Sequence, residues 1–374
     1  MSTNVGRMSV PFFNYSHLFK SHEEDYVNIF KDVCSRGAYI LQKDLRDFEE
    51  HLAKFAGTKY AVGLANGTDA IWIALMAAGI EKGDEVIFAS HTYIATAASI
   101  HFVGAIPVPA DCREDHMIDP ESVRKLITPK TKAILPTQVN GRCCDMDALL
   151  AIAKEHNLII LEDAAQGLGA KYKGKGIGSF DKGGTISFYP AKNLGSFGDA
   201  GGFVTNDKDM YEKVMLLRDH GRNDDGVFVM WGFNSRLDNL QAAFLDYKLG
   251  WYSEEIEKRR HIASLYNKGL RDIPQLHLPP APDANPDYFD VYQNYEIEAD
   301  RRDELKEYLK ENGIGTLIQW SGQPVHSITS LGFAGKGLPY TDKMFERCLM
   351  LPLNTSLNDE DVLYVCEVVK SFYK

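Results

Sequence analysis

The strongest constraint on this chain is a rhythm. Between about residues 46 and 250, short apolar runs rich in Ile, Val and Leu alternate with helical patterns. Strands buried on both faces read as continuous apolar runs, and strands separated by helices predict βαβ units and a mostly parallel sheet covered on both sides. The expected strands are YAVGLA, EVIFA, IPVPAD, AILPTQ, LIILED, TISFY and GGFVTN, with helices over DAIWIALMAA and TYIATAASIHFVGA. From Asn234 a long helical pattern, SRLDNLQAAFLDYKLGWYSEEIEKRRHIASLYNKGL, leads away from the sheet. A proline-rich loop, LHLPPAPDANPDYFD, then opens a second unit: strand YQNYEIEA, helix RRDELKEYLKENG, strand TLIQW and a last helix after Asn358. The expected architecture is α/β, with a large domain over 1–250 and a small C-terminal α/β domain over 251–374, packed together through the long helix.

Charge and cysteine usage exclude whole classes of partner. Forty-one Lys and Arg against 52 Asp and Glu leave a net charge of -11, the wrong sign for tracking a phosphate backbone. Nucleic acid is not an expected partner. The N-terminus, MSTNVGRMSVPFFNYSHLFK, lacks the continuous apolar run of a secretion signal, and no run approaches a membrane span. A soluble, cytoplasmic protein is expected. Cys34, Cys112, Cys143, Cys144, Cys348 and Cys366 are too few for a disulfide scaffold, so reduced and mostly buried thiols are expected.

Four segments carry chemistry, each just past the end of an expected strand, where doubly wound folds bind ligands. Asn66-Gly67-Thr68-Asp69 joins a strand to a helix. Glycine permits close backbone approach and the helix N-terminus offers unpaired N–H groups, so this is a candidate phosphate cradle; its rival reading is a plain helix cap. Glu162-Asp163-Ala164-Ala165-Gln166 closes the apolar run NLII, and an acid there is costly unless a cation or donor pairs with it. No histidine lies close in sequence to complete a ligand set, so an organic cation is expected rather than a metal. Lys192 leaves the strand TISFY between Pro190 and the glycines 195–202, where its amine can meet a carbonyl. Together these are the parts of a pyridoxal phosphate site: a lysine to hold the cofactor as an imine, a carboxylate to keep the pyridine nitrogen protonated, and donors for the phosphate. Tyr93 is the candidate stacking aromatic, with His91 second.

The chain resembles the DegT/StrS-type nucleotide-sugar aminotransferases of the fold-type I, aspartate aminotransferase group. The resemblance runs from GAYILQKDLRDFEEHLAKFAGTKYAVGLANGTDA through EDAAQ and SFYPAKNLGSFGDAGGFVTND to GFNSRLDNLQAAFL. It implies that Lys192 binds pyridoxal 5'-phosphate covalently, that Asp163 pairs with the ring nitrogen, and that Gln166 bonds the phenolic oxygen. Gly67, Thr68 and Ser187 would hold the phosphate and Tyr93 would stack on the ring. In the fourth segment, Gly232-Phe233-Asn234-Ser235, the resemblance assigns Asn234 to the neighbouring subunit's phosphate, which implies a homodimer with shared sites. From sequence alone Asn234 serves equally as cap of a helix starting at Ser235.

The implied reaction moves an amino group from L-glutamate to the keto group of a nucleotide-linked, 6-deoxy or related hexose, as in amino-sugar synthesis for surface polysaccharides. Two stretches depart from the family pattern. Pro136-Thr137-Gln138-Val139-Asn140-Gly141 stands where many relatives read P-V-H-L-Y-G, and Gln319-Trp320 through His326 replaces H-Y-x-x-P-x-H. Both are expected on the sugar side of the pocket, with Trp320 and His326 the candidate substrate residues. Transamination of a cyclitol and a cofactor-binding regulator without turnover are the alternatives. A sugar dehydrase of similar sequence would carry histidine in place of Lys192.

Overall fold

A computed structural model describes residues 9–333 and 337–374. Residues 1–8, the start of the segment read as lacking a secretion signal, lie outside them. The central sheet has the order 60–64, 201–205, 184–187, 159–163, 131–135, 85–89 and 106–110. The fourth of these strands is broken at Leu161, so that Ile159–Ile160 pairs with Thr131–Leu135 and Glu162–Asp163 pairs with Gly184–Ser187. Backbone bonds from Leu161 N to Ile134 O (3.2 Å) and Asp163 N to Pro136 O (2.9 Å) carry the sheet across the break. Every pairing is parallel except those of Gly201–Thr205, which runs antiparallel to both neighbours.

Both faces of the strands are apolar because both are covered. Val86 and Phe88 point into a core shared with the helices Gly67–Ala77 and Lys208–Arg218. Ile87 and Ala89 point the other way, toward Lys43–Ala56 and Asn239–Leu249. This is the two-residue alternation of a strand, buried twice. A third core gathers Tyr295, Ile297, Leu349 and Leu351 of the antiparallel sheet Leu276–His277, Tyr295–Ala299 and Cys348–Leu351, with Val365 and Val369 of the last helix. Val10 joins this core from the other end of the chain, bridged to Ile314.

Three local expectations fail for identifiable reasons. The long helix is two, Asn239–Leu249 and Tyr252–Leu270, broken at Gly250-Trp251, where Trp251 has left helical geometry. The second helix joins two cores, with Tyr252 and Ile256 in the first and Ile262, Tyr266 and Leu270 in the third. No helix begins at Ser235, because residues 234–238 are drawn out as an extended segment by bridges from Asn234 to Asp219 and from Asp238 to Ile40. TLIQW is not a strand: Leu317 bridges Met350, and then Trp320 (φ 51°) and Ser321 (φ 57°) turn left-handed within the short turn Gln319–Gly322. All six cysteines are free thiols, five of them buried, and no described helix is long and apolar enough to cross a membrane.

The antiparallel strand places Gly201 opposite both Leu64 and Ser187, against the turn that starts the Gly67–Ala77 helix. A Cβ on Gly201 would lie 2.2 Å from the Asn66 carbonyl carbon, so Gly201→Ala must push backbone apart. Urea unfolding of Gly201→Ala should show a loss of about 1–3 kcal/mol; unchanged stability would contradict this close approach.

Candidate active site

The parallel strands end along one edge of the sheet, and the start of the antiparallel strand reaches the same edge. Beyond it lies a cavity of about 580 Å³, the size range of small-molecule sites. Gly67, Thr68, Tyr93, Asp163, Gln166, Ser187, Lys192 and Trp320 all line it. Strand ends, helix starts and a turn far apart in sequence therefore contribute to one space.

Asp163 is 4% exposed at the end of its broken strand. Thr96 Oγ1 donates to its Oδ2 at 2.7 Å and the Ala165 N–H to its Oδ1 at 3.2 Å. Burial raises the Asp163 pKa, and these donors together with the charge of Lys192 oppose the rise. Behind Thr96 stands a row of hydroxyls, Thr92 at 2.7 Å and Thr137 donating to Thr92 at 2.9 Å. Lys192 feels the converse effect: burial disfavours its ammonium and lowers the pKa to about 8, against the pull of the Asp163 carboxylate. A buried carboxylate supported by donors and an amine brought toward neutrality in one cavity make a site for a cationic ring bearing a carbonyl.

The phosphate end is built from backbone. Asn66 caps the Gly67–Ala77 helix, its Oδ1 accepting from Asp69 N at 2.8 Å, which leaves the N–H groups of Gly67 and Thr68 without a partner among the described residues. A Cβ on Gly67 would lie 2.8 Å from the Ser187 Cβ, so only glycine lets the helix start sit against that strand end. The cap reading and the cradle reading are thus both true of this segment: the cap is Asn66, and the free donors follow it. Deeper in the cavity, Gln166 Oε1 accepts from the Asn140 N–H at 2.7 Å. Tyr93, 57% exposed at the start of the Ile94–Phe102 helix, faces the cavity with its ring 5.5 Å from that of Trp320.

Four expectations need correction. His326 does not line the cavity: it is buried, its Nδ1 2.7 Å from Ser90 Oγ and its Nε2 2.9 Å from Asp342 Oδ1, so both ring nitrogens are engaged. His91 is not a ring neighbour, being fully buried outside the cavity lining with Nε2 3.5 Å from Glu296. The stretch 136–141 does not form the sugar side either, because its side chains serve as buried supports. Gln138 donates to Glu162 at 2.7 Å, and Glu162 accepts from the N–H groups of Gly178 and Phe180. Asn234 is exposed, lies outside the cavity of its own chain and caps no helix. Residues missed at first include Thr96, one helical turn beyond Tyr93, and Phe12 and Phe13, which reach the cavity from the N-terminal arm. The spacing of Tyr93 and Thr96 could have shown the first; no local pattern shows the others.

The lowered Lys192 pKa has a measurable sign. Only the neutral amine is nucleophilic, so competitive labelling of the cofactor-free protein with acetic anhydride should modify Lys192 with a midpoint near pH 8. Surface lysines should follow their usual midpoint of about 10.4. In Asp163→Asn the opposing charge is gone and the Lys192 midpoint should fall further. A Lys192 midpoint that coincides with the surface lysines would contradict the burial argument.

The comparisons with known proteins agree with this geometry. The sequence profile of the DegT/DnrJ/EryC1/StrS aminotransferase family matches residues 20–370. A dTDP-3-amino-3,4,6-trideoxy-alpha-D-glucose transaminase from Streptomyces venezuelae is 38% identical, over 100% of this chain and 98% of its own. A pleiotropic regulatory protein from Geobacillus stearothermophilus is also 38% identical, over 98% of this chain and 99% of its own. The crystal structure of S. venezuelae DesV in complex with a ketimine intermediate superposes with a TM-score of 0.93 at 37% identity, covering 98% of this chain and 99% of that one. With a family profile matched over residues 20–370 and a half-buried lysine and a buried carboxylate sharing one cavity, the chain belongs to the DegT/DnrJ/EryC1/StrS aminotransferase family.

Proposed function

We propose that this protein is a pyridoxal 5'-phosphate-dependent aminotransferase that moves an amino group from L-glutamate to a keto group on a nucleotide-linked hexose, yielding an amino sugar. The observation that carries the reading is the convergence of Lys192, Asp163 and the Gly67–Ala77 helix start on one cavity. Bound there, the cofactor supplies an electron sink for the carbanion left when the donor loses its α-proton. Lys192 would hold the cofactor through its Nζ, and the same amine is the group placed to take the proton from the donor α-carbon. Asp163 stays ionised against the ring nitrogen, held by Thr96 and the Ala165 N–H. Gly67, Thr68 and Ser187 bind the phosphate with backbone and hydroxyl donors. Gln166 bonds the phenolic oxygen and Tyr93 stacks on the ring, with Trp320 beside it on the sugar side.

The same reading includes a homodimer with shared sites. Val227, Phe228, Val229, Met230 and Trp231 form an exposed apolar run just before Asn234, with Trp231 94% exposed, and apolar surface of this kind marks an interface. Asn234 then serves the partner subunit's phosphate. A regulator that binds the cofactor without turnover is the second reading, favoured by the likeness to the Geobacillus pleiotropic regulatory protein.

Two experiments check these readings. Incubation with L-glutamate and a panel of dTDP-, UDP- and GDP-linked keto-hexoses, read by product mass, should give one amino sugar, and Lys192→Ala should give none. Cofactor binding with no amino product from any panel member would favour the regulator. For the shared site, Lys192→Ala chains and Asn234→Asp chains are mixed. Asp places a negative charge against the phosphate, costing about 2–5 kcal/mol, so each parent should be nearly inactive. Mixed dimers carry one site with both lesions and one with neither, so activity should reappear. Mixed dimers verified by mass spectrometry that regain nothing would contradict the shared site.

A further inference from the structure

Two of the amides that line the cavity, Gln166 and Gln319, are wired to one residue outside it. Asn140 sits in the left-handed region (φ 57°, ψ 9°), which Asn tolerates better than most residues. Its backbone N–H donates to Gln166 Oε1 at 2.7 Å. A backbone N–H can only donate, so the Gln166 carbonyl is spent there and its NH₂ is the group left for the cavity. The Asn140 side chain is oriented by the same logic. Its Nδ2 donates to Glu296 Oε2 at 2.9 Å, and against the burial that would raise it, His91 and His116 hold the Glu296 carboxyl far below the usual range, so it only accepts. Asn140 Oδ1 must then accept, and it does so from Asn294 Nδ2 at 3.0 Å and from Gln319 Nε2. Gln319 is 2% exposed and lines the cavity, and its Oε1 is buried with no partner among the described residues. A buried carbonyl with no donor is costly, which points to a donor arriving from outside the chain.

We propose that Asn140 is a positioning residue that fixes the direction of the Gln166 and Gln319 amides, so that Gln166 presents an N–H donor to the cofactor's phenolic oxygen and Gln319 presents a carbonyl acceptor to a hydroxyl or amino group of the sugar. The inference rests on the reading of the cavity given under Proposed function. Gln319 is the substrate-selecting residue in this account, and Glu296 sets its direction through Asn140 from the next strand. Substrates lacking the donor group at that position leave the carbonyl unpaired and bind less well.

The test is a double-mutant cycle on Asn140 and Gln319. Asn140→Gly keeps the left-handed backbone and its N–H bond to Gln166 but removes the side chain. The probe is the nucleotide keto-hexose converted best by the unaltered enzyme. Asn140→Gly and Gln319→Leu should each raise its KM about tenfold, with the KM for L-glutamate and the visible absorption of bound cofactor unchanged. If Asn140 acts through Gln319, the double variant should be no worse than the poorer single one. An unchanged sugar KM, or effects that multiply, would overturn the Asn140–Gln319 link. Gln166→Glu tests the other arm, since glutamate still accepts from Asn140 but offers no donor. The pH at which the bound cofactor's absorption changes should move upward, and an unmoved profile would overturn the role of Gln166 while leaving the KM cycle to judge Gln319.

Discussion

Everything at this site depends on keeping a carboxylate and an amine together away from water. Asp163 is buried at the end of a strand, where an unpaired charge would be expensive, and it is made tolerable by Thr96, the Ala165 N–H and Lys192. Lys192 in turn has its charge opposed by the same burial that isolates Asp163. Neither group is comfortable alone, and a cationic ring with a reactive carbonyl satisfies both. The sheet supplies the geometry: one break at Leu161 separates the pairing that builds the core from the pairing that presents Asp163.

Much of this was legible in the sequence because the relevant signals were local. Asn66-Gly67-Thr68, the run ending in Asp163 and the Lys192 turn each combine a strand end with a residue type whose chemistry is unusual there, and the structure gathers all of them round one cavity. The strands were legible for the same reason, since Val86 to Ala89 are apolar on both faces. What failed depended on distant partners. Residues 234–238 carry a helical pattern but are held extended by Asp219 and Ile40, which no local pattern reveals. His326 has the position of a family motif, yet Ser90 and Asp342 take both its nitrogens. TLIQW has strand composition, but left-handed residues at Trp320 and Ser321 bend it to line the cavity.

The departures from the family pattern acquire a common explanation. Gln138 is committed to Glu162, whose pKa burial raises to about 7 against the Gly178, Phe180 and Gln138 donors. Asn140 belongs to a neighbouring network that includes His116, where burial is outweighed by Glu296 and Glu298 and the pKa rises to about 9. These groups lie outside the cavity lining, and Asn140 among them is bonded to the lining amides Gln166 and Gln319. On the proposed reading, substrate preference is set partly behind the pocket wall, where the lining residues alone would not show it.

The central claim is that one lysine, Lys192, holds the cofactor opposite Asp163. Borohydride reduction of the cofactor-loaded protein, followed by proteolysis and mass mapping, tests it most directly. A single pyridoxyl mark is expected, on the peptide that carries Lys192; a mark on any other lysine, or none, would contradict the role proposed for Lys192.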